Sequence, residues 1–363
     1  MHKLKRWAFK GMVWTLALYF GGMLVVSVAG DMVSVAKLAM REGDKRQRHT
    51  LIVFDDKERA KKIFEDSRGT IEAYAPYVGW RRLPMQSETV NIGPDGLRMH
   101  DTGVGTGPNL RTVGVFGGSG VWGTGVDDSN TIPAILEQMS SGYKVKNFGE
   151  GGWTSRQSLA QLINLINQNE APDIAIFYTG ANDATLSCDL NHGSGYNSHK
   201  NATYYRRLVL DSETPRYLYR NFAVPAIETF KRVTGRKKAK KNFVCDQDRK
   251  RASKIAATMF KNWQIARTLM LAEGKEFYAF LRPMTGVGSL ELDHLTLDPN
   301  ALAQYLPVYE AVRTLIDEEG EGWAWDLSDS FDGGPPVFMD DGHIVGAGNR
   351  IVAERIRDIV MRR

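Results

Sequence analysis

Ser119 lies in the stretch Val113–Val126, VGVFGGSGVWGTGV, where an apolar run gives way to a glycine-rich turn. Such a run reads as a buried β-strand. A serine on a tight turn at the carboxyl end of a strand keeps its hydroxyl exposed and its backbone N–H free, which suits a nucleophile. The glycines let the backbone turn sharply and let a substrate approach it closely. Two other readings fit parts of the same stretch. Gly118-x-Gly120-x-x-Gly123 matches the dinucleotide fingerprint, but that fingerprint needs a helix opening at the glycines, and here the loop runs on to Pro133. A plain glycine-rich turn with an ordinary serine is the other. The G-x-S-x-G elbow of α/β-hydrolases does not fit, because Val121 stands where its last glycine would be.

Three further stretches carry residue types that would complement a nucleophilic serine. Asn147-Phe-Gly-Glu-Gly-Gly152-Trp-Thr-Ser155 is a glycine-rich loop leading into a helical pattern. Thr179-Gly180-Ala-Asn182-Asp183 offers a side-chain amide, and Phe338-Met-Asp340-Asp-Gly-His343 offers a base with carboxylates nearby. Each has an ordinary structural explanation alone. Together they supply a nucleophile, hydrogen-bond donors for an oxyanion, and a general base. No His/Cys cluster has the spacing of a zinc site, so neither metal nor cofactor is expected.

The elements that would hold these stretches alternate along the chain. Strands are expected at Thr112–Gly117, Tyr143–Phe148, Asp173–Tyr178, Glu276–Leu281 and Trp323–Leu327. Helices are expected at Ile132–Met139, Arg156–Asn169, Ala252–Glu273, Leu302–Asp317 and Gly346–Met361. Leu159, Leu162, Ile163 and Ile166 keep helical spacing, as do Ile255, Met259, Trp263, Ala266 and Met270. This alternation predicts an α/β fold, a parallel sheet with helices on both faces. Right-handed crossovers then bring every strand's carboxyl end to one edge, and the four stretches with it.

With that order of elements, the chain resembles the SGNH (GDSL-like) hydrolases. The family's marks are a Ser in a GDS-like turn, a Gly after the second strand, an Asn in a G-x-N-D loop and a D-x-x-H near the C-terminus. They fall on Ser119, Gly152, Asn182 and Asp340-x-x-His343, and the resemblance covers about residues 70–363. It implies a three-layer α/β/α fold with a five-stranded, flavodoxin-like parallel sheet. One departure is Gly118, where the family's turn has Asp, so the turn's hydrogen bonding must differ. The resemblance implies that His343 activates Ser119 and that Asp340, rather than the adjacent Asp341, orients the imidazole. The N–H groups of Ser119 and Gly152 and the amide of Asn182 would form the oxyanion hole. Asp183 is expected to cap its loop.

Composition and the remaining segments bound the setting. The chain has 363 residues, 42% hydrophobic and 25% charged, a globular composition, and its net charge of +5 does not imply nucleic acid. Lys3, Lys5, Arg6 and Lys10 precede Gly11–Gly30, twenty residues without a charge. That length reads as a transmembrane anchor with the basic end cytoplasmic and the remainder extracytoplasmic, periplasmic or at the cell surface. A signal peptide cleaved near Ser27-Val-Ala29 is the alternative. Residues 31–67 are expected to form a stalk, 68–363 the hydrolase-like domain, and Ala184–Arg251 an insertion. Outside the cytoplasm Cys188 and Cys245 are expected to form a disulfide closing that insertion, with two free buried thiols as the alternative. Its basic run Lys231–Lys241 reads as a solvated loop or a contact for anionic headgroups or acidic polysaccharide; Asn201-Ala-Thr203 matches a glycosylation sequon. Between stalk and sheet, Tyr74–Trp80 and Val90–Leu97 with the turn Pro94-Asp-Gly96 suggest a small hairpin on the main sheet.

The function implied by the resemblance is serine esterase action on an O-acyl ester, often O-acetyl on a carbohydrate. The expected location suggests an envelope or exported polysaccharide. The first alternative keeps the triad but passes the acyl group to a sugar hydroxyl, with a membrane-bound acyltransferase partner delivering it. The second is a binding protein with the fold and no activity, for which fold alone would not argue either way.

Overall fold

The structure is a computed structural model that describes residues 48–104, 107–190 and 243–361, with the isolated positions Trp7, Trp14, Gly21 and Gly22. Its contacts divide the chain into two units, one of Met1–Gln47 with Tyr205–Lys240 and the other of Arg48–Tyr204 with Lys241–Arg363. Every element below belongs to the second. The expected anchor, the first part of the stalk, the sequon and the basic run lie outside the described residues. Among the described residues no helix is long and apolar enough to cross a membrane.

In chain order the elements are α1 (Lys57–Arg68), β1 (Glu72–Ala75), β2 (Gly79–Arg82), β3 (Arg111–Gly117), α2 (Ser119–Trp122), α3 (Ile132–Gln138), β4 (Tyr143–Asn147), α4 (Ser155–Asn167), β5 (Ile174–Thr179), α5 (Ala181–Cys188), α6 (Arg249–Ala272), β6 (Glu276–Leu281), α7 (Pro299–Leu302), α8 (Tyr305–Glu319), β7 (Ala324–Asp326) and α9 (Gly346–Val360). The main sheet runs β4-β3-β5-β6-β7, and all of its pairs are parallel. In order of occurrence this is 2-1-3-4-5, the flavodoxin-like order, whose crevice opens where the winding reverses beside the first strand. Register is set by pairs such as Val113 with Val145, Val115 with Ile176, and Ile176 with Tyr278.

The inner strands β3, β5 and β6 are apolar on both faces, as strands covered by helices on both sides must be. Phe116, Ala175, Phe177, Phe277, Ala279 and Leu281 point into one core with α4, α6 and α8. Val113, Val115, Ile174, Ile176, Tyr178, Tyr278 and Phe280 alternate into the other, with α3 and α9. The result is the expected three-layer α/β/α arrangement. Local signals start the helices where the sequence suggested. Thr131 accepts from the Ala134 amide at 3.3 Å ahead of α3, Thr154 and Gln157 form a capping box on α4, and Asp248 accepts from the Arg251 amide at 2.9 Å ahead of α6.

Two outer segments differ from expectation. Residues 48–67, assigned to a stalk, pack on the folded unit. Ala60 and Ile63 of α1 are buried, Arg59 pairs with Asp127 at 3.3 Å, and Leu51, Val53, Phe54 and Phe64 lie against the second core. A charged helix with few apolar residues looks like a solvated stalk until its two core contacts are located. The hairpin is β1–β2, with Tyr74 opposite Trp80. It docks on the loop after β4 rather than on the sheet, through Trp80 Nε1 to the Gly151 carbonyl at 3.0 Å and Gln157 Nε2 to the Val78 carbonyl at 3.0 Å. Pro94-Asp-Gly96 is a turn, closed by the Gly96 amide to the Gly93 carbonyl at 3.0 Å.

Cys188, at the end of α5, is disulfide-bonded to Cys245, just before α6. The Val244 amide donates to the Cys188 carbonyl at 3.2 Å, so the insertion leaves and rejoins the fold at one place.

Candidate active site

β3 ends at Gly117, and Gly118 caps the single-turn helix α2, which begins with Ser119. The Gly118 carbonyl accepts from the Val121 and Trp122 amides, both at 3.1 Å. Gly123, at φ +92°, ends the turn in the left-handed region. The helix that a dinucleotide fingerprint would need does not extend from these glycines; α3 begins at Ile132. The Ser119 N–H sits at the helix N-terminus and has no acceptor among the described residues.

Ser119 Oγ lies 2.7 Å from Nε2 of His343. Nδ1 of the same ring lies 2.8 Å from each carboxylate oxygen of Asp340. The tight turn 340–343 positions both, since the amides of Gly342 (3.0 Å) and His343 (2.8 Å) donate to Asp340 Oδ1. Arg48 Nη1 donates to Asp340 Oδ2 at 2.7 Å. Burial would raise the Asp340 pKa, but His343, Arg48 and the Gly342 amide together hold it well below the usual carboxylate range. Asp341 faces elsewhere: its carbonyl accepts from the Thr285 hydroxyl at 2.6 Å, and its carboxylate from the Tyr305 hydroxyl at 3.3 Å.

Asn182 is in the first turn of α5, after Gly180. Its Nδ2 donates to the Trp153 carbonyl at 2.7 Å; an amide NH₂ has a second hydrogen to give. Gly152, at φ +81°, occupies the left-handed region in the loop after β4, and its N–H likewise has no acceptor among the described residues. Gly118 explains how Asn182 comes so close to the Ser119 turn. A Cβ on residue 118 would stand 2.5 Å from Asn182 Nδ2 and 3.0 Å from the Trp153 carbonyl oxygen. The departure from the GDS pattern is therefore filled by the asparagine.

Asp183 is buried and ties α5 to α4. It accepts from the Ser155 amide at 3.1 Å and the Ser155 hydroxyl at 2.5 Å, and the same hydroxyl accepts from Asn262 Nδ2 at 2.9 Å. Burial pushes its pKa up to about 6, against the opposing effect of the Ser155 hydrogen bonds.

Two residues at the site carried no sequence signal. Arg48 reaches Asp340 across 292 positions. Arg282, at the end of β6, donates to the Gly342 carbonyl, and its guanidinium lies beside Gly120. It is buried behind the serine and histidine turns, with its own carbonyl accepting from the Tyr309 hydroxyl at 3.0 Å. Among the described residues no group of three or more His, Cys, Asp or Glu is placed to hold a metal ion.

Residues 113–356 match the profile of GDSL-like lipases and acylhydrolases. No curated protein matches the chain. Similar solved structures include a member of the lipolytic G-D-S-L family from Veillonella parvula, 14% identical with a TM-score of 0.39, covering 70% of this chain and 100% of that one. A carbohydrate acetylesterase from Sinorhizobium meliloti is 13% identical with a TM-score of 0.39, covering 69% of this chain and 98% of that one. An aryl esterase from M. smegmatis is 12% identical with a TM-score of 0.38, covering 69% and 100%.

Proposed function

The chain belongs to the GDSL-like lipase/acylhydrolase family, and from that premise we propose that it is a serine esterase using Ser119, His343 and Asp340. The observation that carries this reading is the imidazole of His343, placed 2.7 Å from Ser119 Oγ and 2.8 Å from Asp340. His343 Nε2 takes the Ser119 proton as Oγ attacks the ester carbonyl. Asp340 holds the tautomer with hydrogen on Nδ1 and stabilises the imidazolium that forms. The tetrahedral oxyanion is held by the N–H groups of Ser119 and Gly152 and the remaining amide hydrogen of Asn182. His343 then returns the proton to the departing alcohol oxygen, leaving an acyl-serine. Water attacks that ester with His343 again as base, and the acid is released with Ser119 reprotonated.

The substrate we propose is an O-acyl, chiefly O-acetyl, ester on an envelope or exported carbohydrate. What supports this is the N-terminal sequence, with its basic residues before an uncharged run suited to a membrane anchor, together with the cysteine pair expected of an oxidising compartment. The test is turnover of p-nitrophenyl acetate by the purified chain and by Ser119→Ala, with mass spectrometry of the Ser119 peptide. Serine-dependent turnover is expected, with at least a thousandfold loss, on the order of that for other triad nucleophiles, in the variant. An acyl adduct that persists in water and clears on adding a glycan would instead identify an acyltransferase. Equal rates in the two proteins would refute the assignment of Ser119.

A further inference from the structure

Arg48 is the first residue of the second unit in chain order, yet its guanidinium reaches the carboxylate that orients His343. The short 3₁₀ turn Arg48–Thr50 is followed by Leu51, Val53 and Phe54, which pack on the core that includes Phe338 and Met339. The Leu51 amide donates to the Arg48 carbonyl, and the Phe54 amide to the Leu51 carbonyl, both at 3.2 Å. This packing fixes the segment beside the residues immediately before Asp340 and aims Arg48 at Oδ2. Each oxygen of Asp340 then has its own set of donors. Oδ1 takes the amides of Gly342 and His343, while Oδ2 takes Arg48, and the ring Nδ1 lies within 2.8 Å of both.

On the reading of the site given above, we propose that Arg48 is a positioning residue that locks the Asp340 carboxylate and lowers the pH at which His343 becomes available as a base. A fixed positive charge beside the carboxylate offsets part of the attraction that would stabilise an imidazolium on His343. It therefore favours the neutral ring that can accept the serine proton. The neighbouring polar groups do not duplicate this role. Arg282 acts on the Gly342 carbonyl, Tyr305 on the Asp341 carboxylate, and His294 on the Phe338 carbonyl at 2.7 Å. Asp341 is the nearby anion, held away by Thr285 and Tyr305. The Arg48 side chain is 32% exposed and that of Asp340 13%, so solvent moderates the interaction without removing it.

The test follows the rate of Ser119 phosphonylation by a fluorophosphonate across acid to neutral pH, on the full chain, Arg48→Gln and Arg48→Lys. In this step Ser119 Oγ forms a bond to phosphorus, fluoride leaves with its electron pair, and His343 takes the hydroxyl proton. The rate therefore reads the base directly and needs no natural substrate. In Arg48→Gln the midpoint of the acid limb should move up by about half to one pH unit, making labelling roughly three- to tenfold slower below it. Arg48→Lys, which keeps the charge, should restore most of the original midpoint. Melting temperatures, read in parallel, separate this effect from a loss of fold. Should Arg48→Gln not fold in plain buffer, both proteins are measured in a stabilising osmolyte in which the variant is folded, and equal midpoints in the parent and the folded neutral variant would overturn the proposal. So would a lowered plateau with an unmoved midpoint, which is what a purely structural contact produces. Absence of serine-dependent labelling in the parent would instead refute the triad on which the proposal rests.

Discussion

At the scale of single residues, Gly118 governs how close Asn182 comes to the Ser119 turn. With a Cβ at residue 118 only 2.5 Å from Asn182 Nδ2, any side chain there must push the amide aside. Restoring the family's aspartate, Gly118→Asp, should therefore lower kcat, by about a hundredfold if one oxyanion donor is lost. The loss should be non-additive with Asn182→Ala, because both changes remove the same donor. Steady-state kinetics on the two variants and their double combination would check this, and a fully active Gly118→Asp would exclude Asn182 as a donor in this arrangement. Ser119, Asp340 and His343 were legible in the sequence because their context is local, a strand end and a four-residue turn. Arg48 and Arg282 were not, since their partners are 292 and 60 positions away and an arginine has no distinctive neighbours in sequence.

At the scale of elements, the join between α4 and α5 holds the Asn182 loop in place through Asp183. The Asp183 pKa is raised to about 6 from an ordinary 3.8. Between those values Asp183 holds more proton in the folded state than in the unfolded chain, so its contribution to stability falls as pH rises from about 4 to about 6. Above that window the buried carboxylate is ionised and its contribution is constant. Asp183→Asn, which cannot titrate, should flatten the dependence by on the order of 2 kcal/mol. Urea denaturation of both proteins at the two ends of the window is the measurement, and an unchanged slope would show that another group is responsible. The helices and strands of this layer were legible from their periodicity because burial repeats regularly along them. The hairpin's docking site was not, because Trp80 and Gln157 find their partners in loops. Nor was the packing of α1, where only Ala60 and Ile63 are buried in an otherwise charged helix.

At the scale of the whole molecule, strand order decides where the chemistry assembles. β3 lies between β4 and β5, so the carboxyl ends that carry Ser119, Gly152 and Asn182 are neighbours, and the turn 340–343 needs only to bring His343 to them. The helix that follows β5 ends at Cys188, which is bonded to Cys245, 57 positions further along the chain. Closing a loop of that length restricts the unfolded chain, which corresponds to about 4 kcal/mol in the chain-entropy account. The cysteines are at the end of α5 and just before α6, while Ser119 and His343 are carried by other segments. Replacing both, Cys188→Ala with Cys245→Ala, should therefore lower the unfolding free energy by up to about 4 kcal/mol. It should leave the rate of Ser119 labelling within about threefold of the parent wherever the variant is folded, a change of under 1 kcal/mol in the barrier. Denaturant titrations with and without reductant, beside labelling rates, separate the two effects. A stable variant with labelling slowed more than tenfold would mean that the insertion's ends help shape the site, and the disulfide would then belong to function as well as to stability.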